Sequence, residues 1–314
     1  MPELPEVEVV RAGLAPALTG SRILAVDVLD ERALSRHPGG AADFAARLAG
    51  AGVREVARRG KFLWMPLSGE FGEAGETAEG EQRAVVGHLG MSGQLLLRRP
   101  EAPTQRHERI RLFVAHPDHG EIAVVFVDQR TFGSLAIDVL VPTVDGTAAG
   151  WGTDHALVPS QVAHIARDPL DPAFDDAGFR GALSRRRSAI KRALLDQTLV
   201  SGIGNIYADE ALWAARIHPE TSAHALSAAA VRRLLAEVRA VLHKALAEGG
   251  TSFDAQYVNV NGEAGYFAHS LNAYGRGGQP CPRCGRPICR EAFMNRSSHF
   301  CPHCQRSRGA RPER

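Results

Sequence analysis

The chain opens Met1-Pro2-Glu3-Leu4-Pro5-Glu6, and the rest of the sequence gains its meaning from that stretch. Initiator methionine is removed before small residues, so a mature start at Pro2 is expected, with a secondary amine at the end. Such an amine titrates at about pH 8, well below a lysine side chain, and keeps a usable neutral fraction at physiological pH. Attack of that amine on a carbonyl-like carbon gives an iminium, an electron sink for later bond cleavage. Glu3 and Glu6 would stand close enough to donate or accept protons. The plainer alternative is that Pro2 and Pro5 open a helix, with Glu6 and Glu8 favourable in its first turn.

A chain of 314 residues with 44% hydrophobic content has room for about two domains. No run of 18 apolar residues and no charged-then-apolar leader occurs, so a soluble, intracellular protein is expected. The net charge of +2 is unevenly spread: residues 69–82 carry five glutamates and no Lys or Arg. From Cys281 onward there are eight arginines against Glu291 and Glu313. A basic tail with a segregated acidic loop suits a face that meets a polyanion, or a solvated surface.

Val7, Val10 and Leu14 fall at helical spacing, with Gly13 and Pro16 expected to end the pattern. Strands are expected at 23–29, 53–56, 62–67, 84–89, 94–97, 110–114 and 122–127, with a short helix at 41–48. Many short strands with turn residues between them predict an antiparallel sandwich over 1–150. Around 140–175 the periodicity fades and prolines 142, 159, 169 and 172 appear, and 151–173 is read as a linker. Helices follow from 174, broken near Ser184-Arg185-Arg186-Arg187-Ser188, and 227–247 is a long amphipathic helix stopped by Gly249-Gly250. Residues 251–278 read as loop, and the piece after them needs a staple to hold together.

Cys281-Pro282-Arg283-Cys284 and Cys301-Pro302-His303-Cys304 have the spacing of a tetrahedral four-thiolate zinc site, disulfides being the alternative. A closed site has no open position for water, so one structural zinc ion per chain is expected. Cys289 is surplus to it. Between the pairs, Arg296 sits in an Asn-Arg-Ser-Ser turn, where its guanidinium either fork-binds a phosphate or lies solvated. Gly202-Ile203-Gly204-Asn205 before a helix suits a single phosphate, with the Asn205 side chain capping the helix or touching the anion. Arg185, Arg186, Arg187, Lys191 and Arg192 add a basic cluster upstream. Together these favour a nucleic-acid backbone as partner.

These residues, with Arg59-Gly60-Lys61, His88-Leu89-Gly90-Met91-Ser92-Gly93, Asp128-Gln129-Arg130-Thr131-Phe132-Gly133 and Gly265-Tyr266-Phe267-Ala268, carry a resemblance. Over nearly its whole length the chain resembles the bacterial formamidopyrimidine-DNA glycosylases. The resemblance implies an α+β multidomain protein: an N-terminal β-sandwich with its N-terminal helix (1–150), the linker (151–173) and a helix-two-turns-helix domain (174–255). A lesion-covering loop and connector (256–280), a zinc finger (281–305) and a basic tail (306–314) complete it. It implies a bifunctional glycosylase and abasic-site lyase of base excision repair for 8-oxoguanine and formamidopyrimidines. Pro2 would attack the sugar C1′, Glu3 would assist ring opening, Lys61 would serve β-elimination and Arg296 the second elimination. Met91, Arg130 and Phe132 would fill the void left by the flipped base, while His107, Arg187, Lys191 and Asn205 would grip the backbone. No metal or redox cofactor would enter that chemistry. The implied partner is double-stranded DNA with oxidised bases, bound by a monomer in the bacterial cytoplasm at the nucleoid, with no membrane. Gln129 and Thr131 depart from the family's usual Pro and Arg, which bears on opposite-base preference. Two other readings stand beside this one: the sister glycosylase for oxidised pyrimidines, and a catalytically silent damage-binding protein.

Overall fold

The computed structural model describes residues 2–69, 81–251, 260–261 and 267–306. Residues 70–80 of the acidic stretch, 256–259 and 262–266 of the expected lesion-covering loop and connector, and the tail after 306 lie outside the described residues. The chain divides into two compact units: 1–164 with 249–265, and 165–248 with 266–314. Residues 249–265 thus belong with the N-terminal unit, although they follow the long helix of the other. Among the described residues no helix is long and apolar enough to cross a membrane.

The first unit is built on helix α1 (Leu4–Leu18), which buries Leu4, Val7, Val10, Leu14 and Leu18 at intervals of three and four residues. Gly13 and Pro16 do not end it. Pro16 lies in the last turn, and Gly13 leaves room for Val260, whose Cγ2 would stand 2.5 Å from an added Cβ. Ten antiparallel strands follow: β1 (Arg22–Val28), β2 (Gly52–Val53), β3 (Ala57–Arg59), β4 (Phe62–Ser68), β5 (Arg83–His88), β6 (Gln94–Arg98), β7 (Glu108–His116), β8 (Gly120–Val127), β9 (Ser134–Pro142) and β10 (Leu157–Pro159), with helix α2 (Gly40–Leu48) after β1. Their order is β10-β9-β5-β4-β2-β1-β7-β8-β6, with β3 on β4. The two-residue β2 joins the halves through Arg22 opposite Gly52 and Val53 opposite Leu67. Leu63, Val85 and Ile137 of one half and Ile23, Leu112 and Phe126 of the other share one buried cluster with α1 and α2. That is the sandwich the alternating pattern predicts.

Three strands escape the sequence pattern: the short β3, β9 and β10. In β9, Asp138 interrupts an apolar run, but its carboxylate accepts the Ser160 hydroxyl (2.8 Å) and the Gln161 amide (2.7 Å), so it sits in a strand without penalty. The proline-rich stretch holds β10, paired on β9.

The second unit is helical with a β-hairpin. Helices α3 (Asp176–Ser184) and α4 (Ile190–Leu194) flank the triple-arginine break, α5 (Asn205–Ala214) follows the glycines, and α6 (Ala228–Ala247) starts at Ser227, whose hydroxyl caps Ala230. Val231, Leu234, Leu235, Val238, Leu242 and Ala245 line the buried stripe of α6. Each fully buried Leu or Val there contributes about 1.5–3 kcal/mol. Strands β11 (Cys289–Phe293) and β12 (Arg296–Phe300) form the hairpin between the cysteine pairs.

Candidate active site and zinc centre

Pro2 and Glu3 are buried ahead of α1, and a carboxylate from the next turn holds them there. The Glu3 amide donates to Glu6 Oε2 (2.8 Å) in a capping box, and the Glu3 side chain receives the Glu6 amide in return. Glu6 Oε1 accepts from the Thr251 amide (2.8 Å) and hydroxyl (2.9 Å). Thr251 follows Gly250, whose φ of +83° is a glycine conformation and which approaches Glu6 closely. Glu6, expected as a possible proton carrier, is therefore a structural latch with three donors on its oxygens.

Two residues further, Glu8 bonds Arg11 (2.8 Å) and the buried Arg58 (2.8 Å). These cations outweigh burial and hold the Glu8 carboxyl below its ordinary range. Arg58 also donates to the Gly60 carbonyl (3.1 Å), so one side chain ties α1 to the β3–β4 turn that presents Lys61. Lys61 is half-buried. Burial foremost, then the charges of Arg36 and Lys61, push His88 down to about 4. Its Nδ1 accepts the Gly90 amide (3.1 Å), which requires the neutral ring.

Met91, Arg130 and Phe132, far apart in sequence, share a surface made by two interlocked turns. A Cβ on Gly90 would lie 2.4 Å from the Gly133 nitrogen, so the backbones touch only because position 90 has no side chain. Asp128, fully buried, accepts from Ser92 Oγ (2.6 Å), the Arg130 amide (3.1 Å) and the Gly133 amide (2.8 Å). Arg130 Nη1 reaches Met91 Sδ at 3.6 Å, and Met91 and Phe132 are 41% and 64% exposed. Two large apolar side chains held in solvent by a buried carboxylate are suited to enter a partner rather than the core. Thr131, a β-branched residue at φ +54°, shows the turn is held against its local preference. His107, half-buried at φ +66°, accepts the Asp128 amide on its carbonyl (2.9 Å).

In the second unit Arg187 is exposed. Lys191 is not: it is 0% exposed, 2.6 Å from Asp209 Oδ1, with Ser297 O and Ser298 Oγ each at 2.9 Å and the Phe293 ring beneath it. An ammonium so enclosed is stable only when paired, and its partners hold the β11–β12 hairpin against α4 and α5. The expectation that Lys191 meets phosphate is corrected accordingly. Asn205 donates from Nδ2 to the Ser297 carbonyl (3.0 Å), while its buried Oδ1 has no partner among the described residues. Gly204, not Asn205, caps α5, and the Gly202 amide is committed to Gln197 Oε1 (2.9 Å). Arg296 is exposed at the start of β12, and with Arg186, Arg192, Ser188, Asp196, Leu195 and Met294 it lines a cavity of about 420 Å³. The sequence alone assigns no role to Asp209 and Glu210, and Asp128 enters only as the first residue of the Asp128–Gly133 motif, with no role of its own. Their positions emerge only from what they bind, such as the amides of Asn272, Ala273 and Tyr274 on Glu210.

The sulfurs of Cys281, Cys284, Cys301 and Cys304 all lie within 4.8 Å of one another. A tetrahedral zinc with bonds of about 2.3 Å requires sulfurs about 3.8 Å apart, so the set fits one zinc ion without rearrangement of the fold. Four thiolates close the coordination sphere, which makes the ion structural. Cys289 pairs with Phe300 in the hairpin and stands outside this group.

An antiparallel sheet unit, a helical unit and a four-cysteine finger bearing exposed arginines define a zinc-finger nucleic-acid-binding protein. Family models match in register: the formamidopyrimidine-DNA glycosylase N-terminal domain over residues 1–135, its H2TH domain over 165–256, and the zinc finger found in FPG and IleRS over 278–306. The chain is 64% identical to the formamidopyrimidine-DNA glycosylase of Leifsonia xyli, covering 98% of this chain and all of that one. With the Thermobifida fusca protein of the same name the identity is 57%, over 99% of this chain and all of that one. A crystal structure of Lactococcus lactis Fpg with abasic-site DNA aligns with TM-score 0.77 at 29% identity, covering 97% of this chain and all of that one. A complex of the wild-type Lactococcus protein with N7-benzyl-Fapy-dG DNA aligns with TM-score 0.78 at 28% identity, over 98% of this chain and all of that one. The chain belongs to the formamidopyrimidine-DNA glycosylase family.

Proposed function

We propose that this protein is a DNA glycosylase and abasic-site lyase of base excision repair that removes oxidised purines, 8-oxoguanine and formamidopyrimidines, from double-stranded DNA. The single observation that supports it most is the latch on the N-terminus: Glu6 fixes the Glu3 amide and Thr251 at once, so Pro2 and Glu3 hold one geometry. A chain end with no chemical task has little reason to be buried and pinned by a carboxylate.

With Met1 removed, the Pro2 nitrogen attacks C1′ of the everted nucleotide and the glycosidic bond breaks, its electron pair leaving with the base. Glu3 supplies the proton that opens the sugar ring, and the nitrogen lone pair forms the C1′ iminium. That cation acidifies C2′–H. Loss of this proton forms a C2′–C3′ double bond and expels the 3′ phosphate, with Lys61 serving this step. A second elimination expels the 5′ phosphate, with Arg296 at the departing anion. Hydrolysis of the imine then frees Pro2. Met91, Arg130 and Phe132 occupy the vacated stack, and His107, Arg187 and Asn205 meet the backbone. Cys281, Cys284, Cys301 and Cys304 would hold zinc, which supplies structural closure of the finger. The protein acts as a monomer at the bacterial nucleoid.

Borohydride reduction in the presence of a duplex with 8-oxoguanine opposite cytosine should leave a covalent protein–DNA adduct. No adduct with wild-type protein overturns the enzyme reading and leaves damage binding alone. Trapping confined to oxidised pyrimidine selects the sister activity.

A further inference from the structure

The zinc site has a neighbour outside its own knuckles. Trp213, near the end of α5, points its indole Nε1–H at Cys281 Sγ, 3.4 Å away. Cys281 is 2% exposed, so this bond is made out of water, and the indole packs in the same cluster as Cys281, Ile288 and Cys301. The indole is itself clamped. Arg283, between the first two cysteines, lays its guanidinium 4.0 Å from the ring centroid and donates to the carbonyls of Trp213 (3.0 Å) and Ala214 (3.4 Å). These are terminal carbonyls of α5, where a cation is also favoured by the helix dipole. The second knuckle docks nearby: Gln305 accepts the Cys301 amide (2.7 Å) and donates to the Ile217 carbonyl (2.9 Å).

Four thiolates on a dication leave a net negative cluster, and donors aimed at sulfur spread that charge and fix the ligand's direction. Backbone amides can do this for any knuckle. An indole delivered from a separate helix does it only while that helix is in place.

We infer that Trp213 is a zinc-positioning residue: its indole N–H, held in plane by Arg283, bonds the Cys281 thiolate and makes metal retention depend on α5. The bond withdraws charge from one sulfur of the four, slows that ligand's exchange, and locks the first knuckle to the helix that begins at Asn205.

The test uses the full chain loaded with different metals. In Trp213→Phe, which keeps an aromatic face for Arg283 but removes the donor, zinc transfer to a chromophoric chelator should accelerate about tenfold. In the cobalt(II) form of that variant the sulfur-to-metal charge-transfer band should move to lower energy, because an undonated thiolate is the easier electron source. Arg283→Gln, which loosens the clamp and keeps the donor, should move both readouts the same way by less. Wild-type protein loaded with ¹¹³Cd provides a check free of any mutant's folding: the Trp213 indole proton should show scalar coupling to the metal through the N–H···S bond. A folded Trp213→Phe protein with wild-type zinc loss and an unmoved cobalt band overturns the proposal, as does absence of the cadmium coupling.

Discussion

Replacing Glu6 by Gln tests the latch with a change of one atom. Glu6 is 1% exposed, and among the donors its oxygens accept are the Glu3 amide, the Thr251 amide and the Thr251 hydroxyl. A carboxamide has one acceptor oxygen. In its better orientation it keeps both Thr251 donors and turns its own N–H₂ toward the Glu3 amide, donor against donor. Loss of one bond to a buried charged acceptor costs about 1.5–3 kcal/mol. The two retained bonds fall from charged to neutral acceptors and weaken by about half. A total near 3–4 kcal/mol is a large fraction of an ordinary domain's stability of about 5–15 kcal/mol. The catalytic effect follows from displacement of Pro2 and Glu3, since a shift of about 1 Å in a reacting group can cost about 10²-fold in rate. Denaturant unfolding of the sheet unit and single-turnover base release on 8-oxoguanine DNA measure the two effects. Affinity for abasic-analogue DNA should change little. A Glu6→Gln protein with wild-type unfolding midpoint and wild-type single-turnover rate would refute the latch.

Lys191→Met should destabilise the helical unit by about 3–5 kcal/mol, because buried Asp209 loses its ammonium partner and keeps the His299 amide and ring on its other oxygen. Without unfolding, it should leave the salt dependence of DNA binding unaltered, whereas Arg187→Ala should shallow the log–log slope by about one; equal slopes for wild type and Arg187→Ala would contradict the assignment. His88 gives a pH signature. Its folded value of about 4 lies below the ordinary 6.5, so its contribution is fully present above 6.5 and is lost as pH falls through about 4. That loss amounts to at most about 3 kcal/mol, with the ring's residual exposure reducing it. His88→Gln should flatten that acid limb in thermal melts, and an identical pH profile would remove His88 from the account. Cys301→Ser should release zinc and weaken DNA binding while the sheet unit retains its melting transition; undiminished DNA affinity would make the finger dispensable.

The parts of the molecule legible in the sequence are those in which chemistry is written locally. The cysteine pairs fix the metal site by spacing alone. The stripe from Val231 to Ala245 declares α6, and the alternating strands declare the sheet. The N-terminal dipeptide was readable because proline after methionine has a chemical consequence independent of any fold. What the sequence hides is pairing across distance. Lys191 belongs to a cluster of five basic residues between 185 and 192 and reads as phosphate-facing. Only the fold shows that Asp209, eighteen positions on, and the carbonyl of Ser297 enclose it. The exposure of Met91 and Phe132 depends on Asp128 gathering Ser92, Arg130 and Gly133 together, a convergence of two separate turns that no local pattern shows. Glu6 reads as a proton carrier near the amine, but its partner Thr251 is 245 residues away. Strand β9 was obscured by one aspartate whose partners, Ser160 and Gln161, lie in a stretch that looks like linker.

The central claim is that the covalent bond to DNA forms at the Pro2 nitrogen. Its most direct test is peptide mapping by mass spectrometry of the borohydride-trapped complex after nuclease and protease digestion. The expected product is an N-terminal peptide that begins at Pro2, lacks Met1 and carries the reduced sugar remnant on its α-nitrogen. A remnant on Lys61 or any other lysine, or a fully active protein that retains Met1, would contradict it.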